Sequence, residues 1–472
     1  MAITAKQKKT LTIVGIVLAT LVAIYGVGVF FFSNHFFPNT IIGQNSLSLK
    51  STDDFAQYIK DKADNYVLSI EGKGFSLKIT KDEAGIAIDE NKIAIDACLH
   101  QNYWAWPVEI LFDHDASDVI TTMYDQEALT RILQQAVAAY NETVPASVNA
   151  TIVYDPDTGS CIVQDEVYGS QIDGTVLLAQ VEECIKSLIE TCEVTDEDLI
   201  KPTILASDER FPAALEKAQG FIGGTIALTL NGSVQAGTVT KDLIGSWLTL
   251  DEALMPGINV EKVQAWADNL AAQLNTVGTK RSYTRADGKA VTVSGGSFGW
   301  SVDTNDLAQD IIDHITSANF AAIDIPVSQS ANVYNGQGKR DWGAYVDIDL
   351  SEQHARYYDA SDNLLYECNF VSGLPRDGRA TPEGVYFLND KQSPSTLVGY
   401  KPNGEKDYET HVSYWMPFIR NSIGFHDATW QSSFGGDRYK SHGSHGCVNL
   451  SLADAKWFYE NLPKGTCMIT HS

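Results

Sequence analysis

The sequence predicts a multi-domain chain: an N-terminal transmembrane helix, duplicated α+β repeats, and a C-terminal mainly-β domain of β-sandwich-like form. Three observations predict it. An uncharged apolar run fills Leu11 to Phe32, residues 68–85 reappear in altered form at 228–245, and from about Asp341 the pattern changes to short strands punctuated by turn residues. A length of 472 residues allows about three domains at about 150 residues each. Hydrophobic residues make up 44% and charged residues 20%, enough apolar material for several cores. The net charge of −26 argues against nucleic acid as a partner, because binding a polyanion rests on cationic contacts to phosphate.

Residues 1–10 carry Lys6, Lys8 and Lys9 and no acid, and 11–33 form the apolar span. About 20 apolar residues cross the roughly 30 Å hydrocarbon core of a bilayer. Basic residues ahead of the span favour a cytoplasmic N-terminus, with everything after it outside the cell. A cleaved signal peptide would have a shorter apolar run ending in small residues, whereas Phe30 to Phe32 and Phe36-Phe37 stand here. The expectation is an uncleaved single-pass membrane anchor.

Two α+β repeats follow, at 45–200 and 201–330. Leu68/Leu228, Gly72/Gly232, Thr80-Lys81-Asp82/Thr240-Lys241-Asp242 and Gly85/Gly245 coincide without a gap. Tyr168 to Asp173 likewise matches Phe298 to Asp303. Alternation at Leu77 to Thr80 and Val291 to Val293 predicts half-buried strands. Apolar spacing at Val176, Leu177, Val181 and Ile185, and at Leu307, Ile311 and Ile315, predicts helices, with Asp173 and Asp303 as their caps. Nothing in the repeats brings a nucleophile and a base together, so they read as a spacer or binding region.

The seven cysteines form no CxxC pair and are odd in number, so at least one lacks an intrachain partner. Burial is the default for most of them. The last domain, 341–472, shows strand patterns at Tyr345 to Leu350, Ala355 to Tyr358, Leu364 to Val371, Val385 to Leu388 and Val412 to Ile419. Pro375, Pro382, Pro394, Pro402 and Gly404 mark its turns. Ser451 caps one late helix, which Pro463 closes.

The densest reactive cluster is Ser441-His442-Gly443-Ser444-His445-Gly446-Cys447-Val448-Asn449, with His426-Asp427 upstream. Cysteine attack on a carbonyl needs an imidazole to take the thiol proton and donors to hold the oxyanion. A zinc site built from these residues would lack the usual paired ligand spacings. An inert buried thiol leaves its His and Ser neighbours unexplained. Spacing alone does not choose between His426 and His445 as base, but residues two apart on an extended segment lie about 6 to 7 Å apart, which favours His426. Trp415 and Met416 line a substrate channel or belong to the core.

His426 followed by Ser444-His445-Gly446-Cys447-Val448-Asn449 resembles the signature of the L,D-transpeptidase (YkuD-type) catalytic family, over about 341–472. Ser372-Gly373 and Arg379 to Gly384 are similar to that family's Gly-rich approach to a Thr-Pro-x-Gly turn. The repeats resemble the peptidoglycan-binding repeats of Gram-positive members. The resemblance implies Cys447 as nucleophile, His426 as base, Asp427 as the group orienting its ring, and the backbone of His445, Gly446 and Cys447 as oxyanion site. Ser444, Tyr439, Trp415, Met416 and Asn449 are the substrate-lining candidates. Asn449 stands where many relatives carry arginine.

No metal and no cofactor are implied. The implied activity joins peptidoglycan stem peptides at the cell wall. A tetrapeptide donor acylates Cys447 with loss of its terminal D-alanine, and an acceptor amine completes a 3→3 cross-link. Carbapenem-type β-lactams would acylate the same thiol. An L,D-carboxypeptidase that uses water as acceptor, and a non-catalytic wall-binding anchor, are the competing functions.

Overall fold

The computed structural model describes residues 4–42, 45–116, 120, 122–400 and 403–472. Two compact units divide the chain: residues 1–151 with 165–208, and residues 152–164 with 209–472.

The first unit opens with helix α1 (Ala5–Phe32), which starts before the apolar run because Thr4 and Gln7 close a reciprocal capping box. From Leu11 onward α1 carries no charged residue and is long and apolar enough to cross a membrane. Its described buried residues are Gly28 and Phe32. Helix α2 (Thr52–Asp64) is followed by strands β1 (Val67–Gly72) and β2 (Phe75–Thr80), then by α3 (Glu90–His100) and the short α4 (Trp106–Glu109). After α5 (Gln126–Asn141) and α6 (Gly174–Lys186) comes β3 (Thr191–Glu193). β1 and β2 pair antiparallel, and β3 lies parallel to β1. Leu68 and Ile70 of β1 and Ile79 of β2 pack against Leu129, Leu133, Leu177 and Val181 of α5 and α6. The Asp173 carboxylate caps α6, accepting from the Thr175 and Val176 N–H groups. The Asn141 side-chain oxygen accepts from Ile172 N–H at 2.8 Å.

The second unit contains α7 (Phe211–Phe221), β4 (Ile226–Leu230), β5 (Val234–Val239), α8 (Lys241–Trp247) and α9 (Val260–Leu274). A hairpin of β6 (Arg281–Thr284) and β7 (Ala290–Val293) follows, then α10 (Thr304–Thr316) and β8 (Ile323–Asp324). β4 pairs antiparallel with β5 and parallel with β8. Asp303 caps α10, and the Asn275 side-chain oxygen accepts from Val302 N–H at 2.8 Å.

The C-terminal domain of this unit is β-rich. Its first strands are β9 (Tyr345–Asp349), β10 (His354–Tyr358), β11 (Leu364–Asn369) and β12 (Gly384–Phe387). A separate hairpin of β13 (Ser395–Tyr400) and β14 (Lys406–Val412) precedes β15 (Trp415–Ile419) and β16 (Ile423–Asp427). The short α11 (Tyr439–His442), β17 (Val448–Leu450), α12 (Leu452–Asn461) and β18 (Cys467–His471) complete the domain. One sheet has the order β11-β10-β9-β18-β12, the other β15-β16-β17. Val346, Ile348 and Met468 of the first meet Met416, Phe418, Phe425 and Val448 of the second, with Phe458 of α12, in one core. The run expected at Val412 to Ile419 divides in two, Val412 ending β14 and Trp415 starting β15. The turn expected at Pro402 lies outside the described residues.

β9 is buried along its whole length rather than alternately. Its second face is covered by the β6–β7 hairpin, whose Tyr283, Val291 and Val293 pack with Tyr345, Val385, Cys467 and Ile469. Within that cover, Arg285 pairs with Asp347 and Asp349, each at 3.0 Å, and with Asp287 at 2.7 Å. Asp347 also accepts from the Tyr283 hydroxyl at 2.6 Å and lies 3.0 Å from His471 Nε2, while Lys289 pairs with Asp349.

Candidate active site

The site is built where β17 joins β16. The two strands run parallel, pairing Phe425 with Val448 and His426 with Asn449, so Cys447, one residue before β17, comes alongside the strand that carries His426. Gly446 has φ +121°, a conformation that suits glycine, and a Cβ there would press within 2.9 Å of Ile423. The loop is stapled from inside. Ser444 Oγ donates to the Cys447 carbonyl at 2.6 Å and accepts from Gly446 N–H at 2.9 Å. Thr381 Oγ1 donates to the Gly446 carbonyl at 2.8 Å and accepts from Gly373 N–H at 3.0 Å. That pair of bonds ties the Thr381-Pro382 turn and the Ser372-Gly373 approach to the loop holding the thiol.

Burial pushes the Cys447 thiol up to about 11, and Cys447 Sγ donates weakly to the Ser422 carbonyl at 3.6 Å. His426 is also buried, and desolvation holds its imidazole below the usual range. Its Nδ1 lies 2.9 Å from the Asp427 backbone carbonyl. A carbonyl only accepts, so Nδ1 carries the proton and Nε2 keeps its lone pair. The ring sits between Trp415 and Trp430, with centroids 6.0 Å and 5.9 Å away. Desolvation thus acts against the charged form of both groups. His445 points elsewhere: its Nε2 meets Asp407 Oδ2 of β14 at 3.1 Å, and its ring lies 4.9 Å from that of Tyr408.

A cavity of about 210 Å³ beside the thiol is lined by His426, Trp430, Ser444, His445, Asn449 and the β13–β14 residues Leu397 and Tyr408. A second pocket also reaches Cys447, past Arg379, Trp415 and Ser422. Leu397, Tyr408, His445 and Cys447 border both.

Cys447, His426, His445, Ser444, Trp415 and Asn449 are thus brought together, and four expectations change. Asp427 does not use its carboxylate on the ring. Neighbouring strand residues face opposite ways, and the carboxylate accepts instead from Tyr414 N–H at 2.8 Å. Met416 faces the core for the same reason, back to back with Trp415. Gly446 N–H is engaged by Ser444, so as an oxyanion donor it would first have to leave that bond. Tyr439 lines neither opening; its carbonyl lies beside Gly443, where a Cβ would come within 2.5 Å of it.

Trp430, Tyr408 and Leu397 escaped the sequence reading. The hairpin that brings the last two had a signal in Asn403-Gly404 between two strand-forming runs. All seven cysteines are free and buried. Asp347, Asp349 and His471 are close enough to hold a metal ion, but Arg285 and Lys289 already meet their negative charge.

Residues 343–469 match the YkuD family, described as the L,D-transpeptidase catalytic domain. The chain carries a YkuD-type L,D-transpeptidase catalytic domain. Residues 227–324, ahead of the transpeptidase domain, match PG_binding_4, a provisionally named peptidoglycan binding domain. YciB of Bacillus subtilis (strain 168), itself provisionally named an L,D-transpeptidase, is 24% identical over 176 residues, 36% of this chain and 84% of YciB. L,D-transpeptidase 2 of Mycobacterium tuberculosis (strain CDC 1551 / Oshkosh) is 26% identical over 98 residues, covering 20% of this chain and 23% of that protein. A crystal structure of a mutant Enterococcus faecium L,D-transpeptidase is 27% identical, with a TM-score of 0.45, and the match covers 54% of this chain and 99% of that one.

Proposed function

We propose that this transpeptidase forms 3→3 cross-links between peptidoglycan stems through a thioester on Cys447. The observation that carries the reading is the pairing of β16 with β17, which sets Cys447 and His426 on one cavity, with a second pocket also reaching Cys447. The tetrapeptide donor enters by one pocket. His426 Nε2 takes the thiol proton as sulfur attacks the carbonyl of the third stem residue. The bond to D-alanine breaks, and the same proton leaves with its amine. An acceptor amine from the other pocket then attacks the thioester, forming an amide. Its proton passes through His426 to the departing sulfur. The backbone N–H groups of His445 and Cys447 are assigned to the oxyanion.

The upstream region positions this chemistry on the wall. Duplication is supported by a hairpin with a parallel third strand in each copy, β1–β2 with β3 and β4–β5 with β8, and by Asn141 and Asn275 holding equivalent turns. The boundaries of the two copies are assigned to 45–200 and 201–330, with the catalytic domain at 341–472. Helix α1 is assigned as an uncleaved anchor that leaves these domains outside the membrane. The contacts of Trp104 and Trp106 with its last turns support that assignment over a discarded signal.

The test is product analysis with a disaccharide-tetrapeptide donor. Wild type should give dimers linked between third residues, and Cys447→Ala should give neither dimer nor labelling by a carbapenem. Tripeptide alone would move the function to an L,D-carboxypeptidase. Turnover by Cys447→Ala would sink the mechanism.

A further inference from the structure

We propose that residues 103–112 form a membrane-seated foot, an apolar surface that lies in the outer interface of the bilayer beside α1. The proposal rests on α1 being a transmembrane anchor. It starts from an anomaly: Trp104, Val108, Leu111 and Phe112 are 61%, 57%, 74% and 57% exposed within a few residues of each other. Val108, Leu111 and Phe112 stand at i, i+3 and i+4. Backbone bonds from Ile110 to Trp106, Leu111 to Val108 and Phe112 to Glu109 keep that stretch wound, so the three side chains share a face. In a strongly acidic chain, the stretch from Gln101 to Phe112 contains one charged residue, Glu109. An exposed apolar face of this kind marks a binding surface.

Its neighbour names the occupant. The Tyr25 hydroxyl of α1 donates to the Trp104 carbonyl at 2.8 Å, and Trp106 Nε1 donates to the Tyr25 carbonyl at 3.1 Å. The Trp106 indole lies on Gly28, where a Cβ would come within 2.2 Å of the ring, and its centroid is 5.7 Å from that of Phe32. At about 1.5 Å per residue from Leu11, a span of roughly 30 Å ends near Phe30. Gly28 and Phe32 therefore flank the outer edge of the hydrocarbon, the level at which Trp and Tyr collect, and Tyr25 lies about 7 Å inside it. The contacts of Trp104 and Trp106 with Tyr25, Gly28 and Phe32 hold residues 103–112 beside α1 at that depth. The partner is the lipid bilayer itself, engaged by apolar burial. The scarcity of basic residues leaves no role for anionic headgroups.

The experiment uses the full chain in phosphatidylcholine nanodiscs, with acyl chains brominated either near the headgroup or near the methyl end. Tryptophan emission should be quenched, more strongly by the shallow bromine, with no dependence on salt, and Trp104→Phe should lose part of the quenched component while circular dichroism stays unchanged. Equal emission in plain and brominated lipid would overturn the foot, as would quenching that Trp104→Phe leaves intact. Two copies per disc with no quenching would give the surface to a second copy instead. Protein missing from the disc fraction would refute the anchor, a separate failure.

Discussion

Desolvation acts on both halves of the Cys447 and His426 pair, and in opposite directions. With the thiol pushed up to about 11 and the imidazole held down, both shifts disfavour an ion pair. In the proposed mechanism the proton moves as the substrate arrives. Thiol alkylation followed against pH should accordingly stay slow through neutrality and rise only in alkali. Acylation in His426→Ala should fall about 10²- to 10⁴-fold at neutral pH and recover in part as Cys447 ionises unaided. His445→Ala should lower acylation without moving the thiol's titration, because that ring is held by Asp407. If His445→Ala shifts the titration and His426→Ala does not, the two roles are exchanged. Asn449 offers a second test, since it lines the cavity and its buried Oδ1 has no hydrogen-bond partner among the described residues. Asn449→Leu should raise KM for the donor several-fold while leaving kcat nearly alone, and an unchanged KM would remove Asn449 from recognition. That Cys447 and His426 border one cavity was legible from the motif around them, although their spacing alone left His445 open as the base. Strand alternation already set the Asp427 carboxylate away from the His426 ring and favoured the core for Met416.

Among the elements, the β6–β7 hairpin matters most for the last domain, because it covers β9. Its Arg285 answers two fully buried carboxylates, Asp347 and Asp349, and removing one partner of such a set strands the other's charge. Arg285→Met should cost about 3–5 kcal/mol in urea unfolding of the second unit. A cost below about 1 kcal/mol, the level of an exposed pair, would show that the network is solvated. Asp347 is depressed below the usual carboxylate range by its hydrogen bond and charge contacts with His471, Tyr283 and Arg285, which outweigh desolvation. A depressed folded value means that this stabilisation is complete above the unfolded carboxylate pKa of about 3.9 and is lost as pH falls through the folded value. Acid unfolding should therefore set in below pH about 4, and Asp347→Asn should flatten that limb. Sequence alternation located the hairpin strands but not what they cover. Continuous burial of β9 depends on a partner more than fifty residues earlier in the chain, and no local pattern records it.

For the whole molecule, the domain boundary expected near residue 341 is a boundary in sequence texture more than in packing. A fragment beginning at residue 335 would lack Tyr283, Val291, Val293 and Phe298, which share a core with Tyr345, Val385 and Ile469. It should melt well below a fragment beginning at residue 209, with scanning calorimetry as the measure, and equal melting temperatures would make the cover dispensable. β18 has a different consequence. It fills the slot between β9 and β12, pairing parallel with one and antiparallel with the other. Until residues 467–471 take their place, the sheet therefore stands open between β9 and β12. His426 and Cys447 precede that strand in the chain, so the layer packed against theirs is the last to close. A chain cut short before residue 467 keeps both side chains and loses the sheet they rest on.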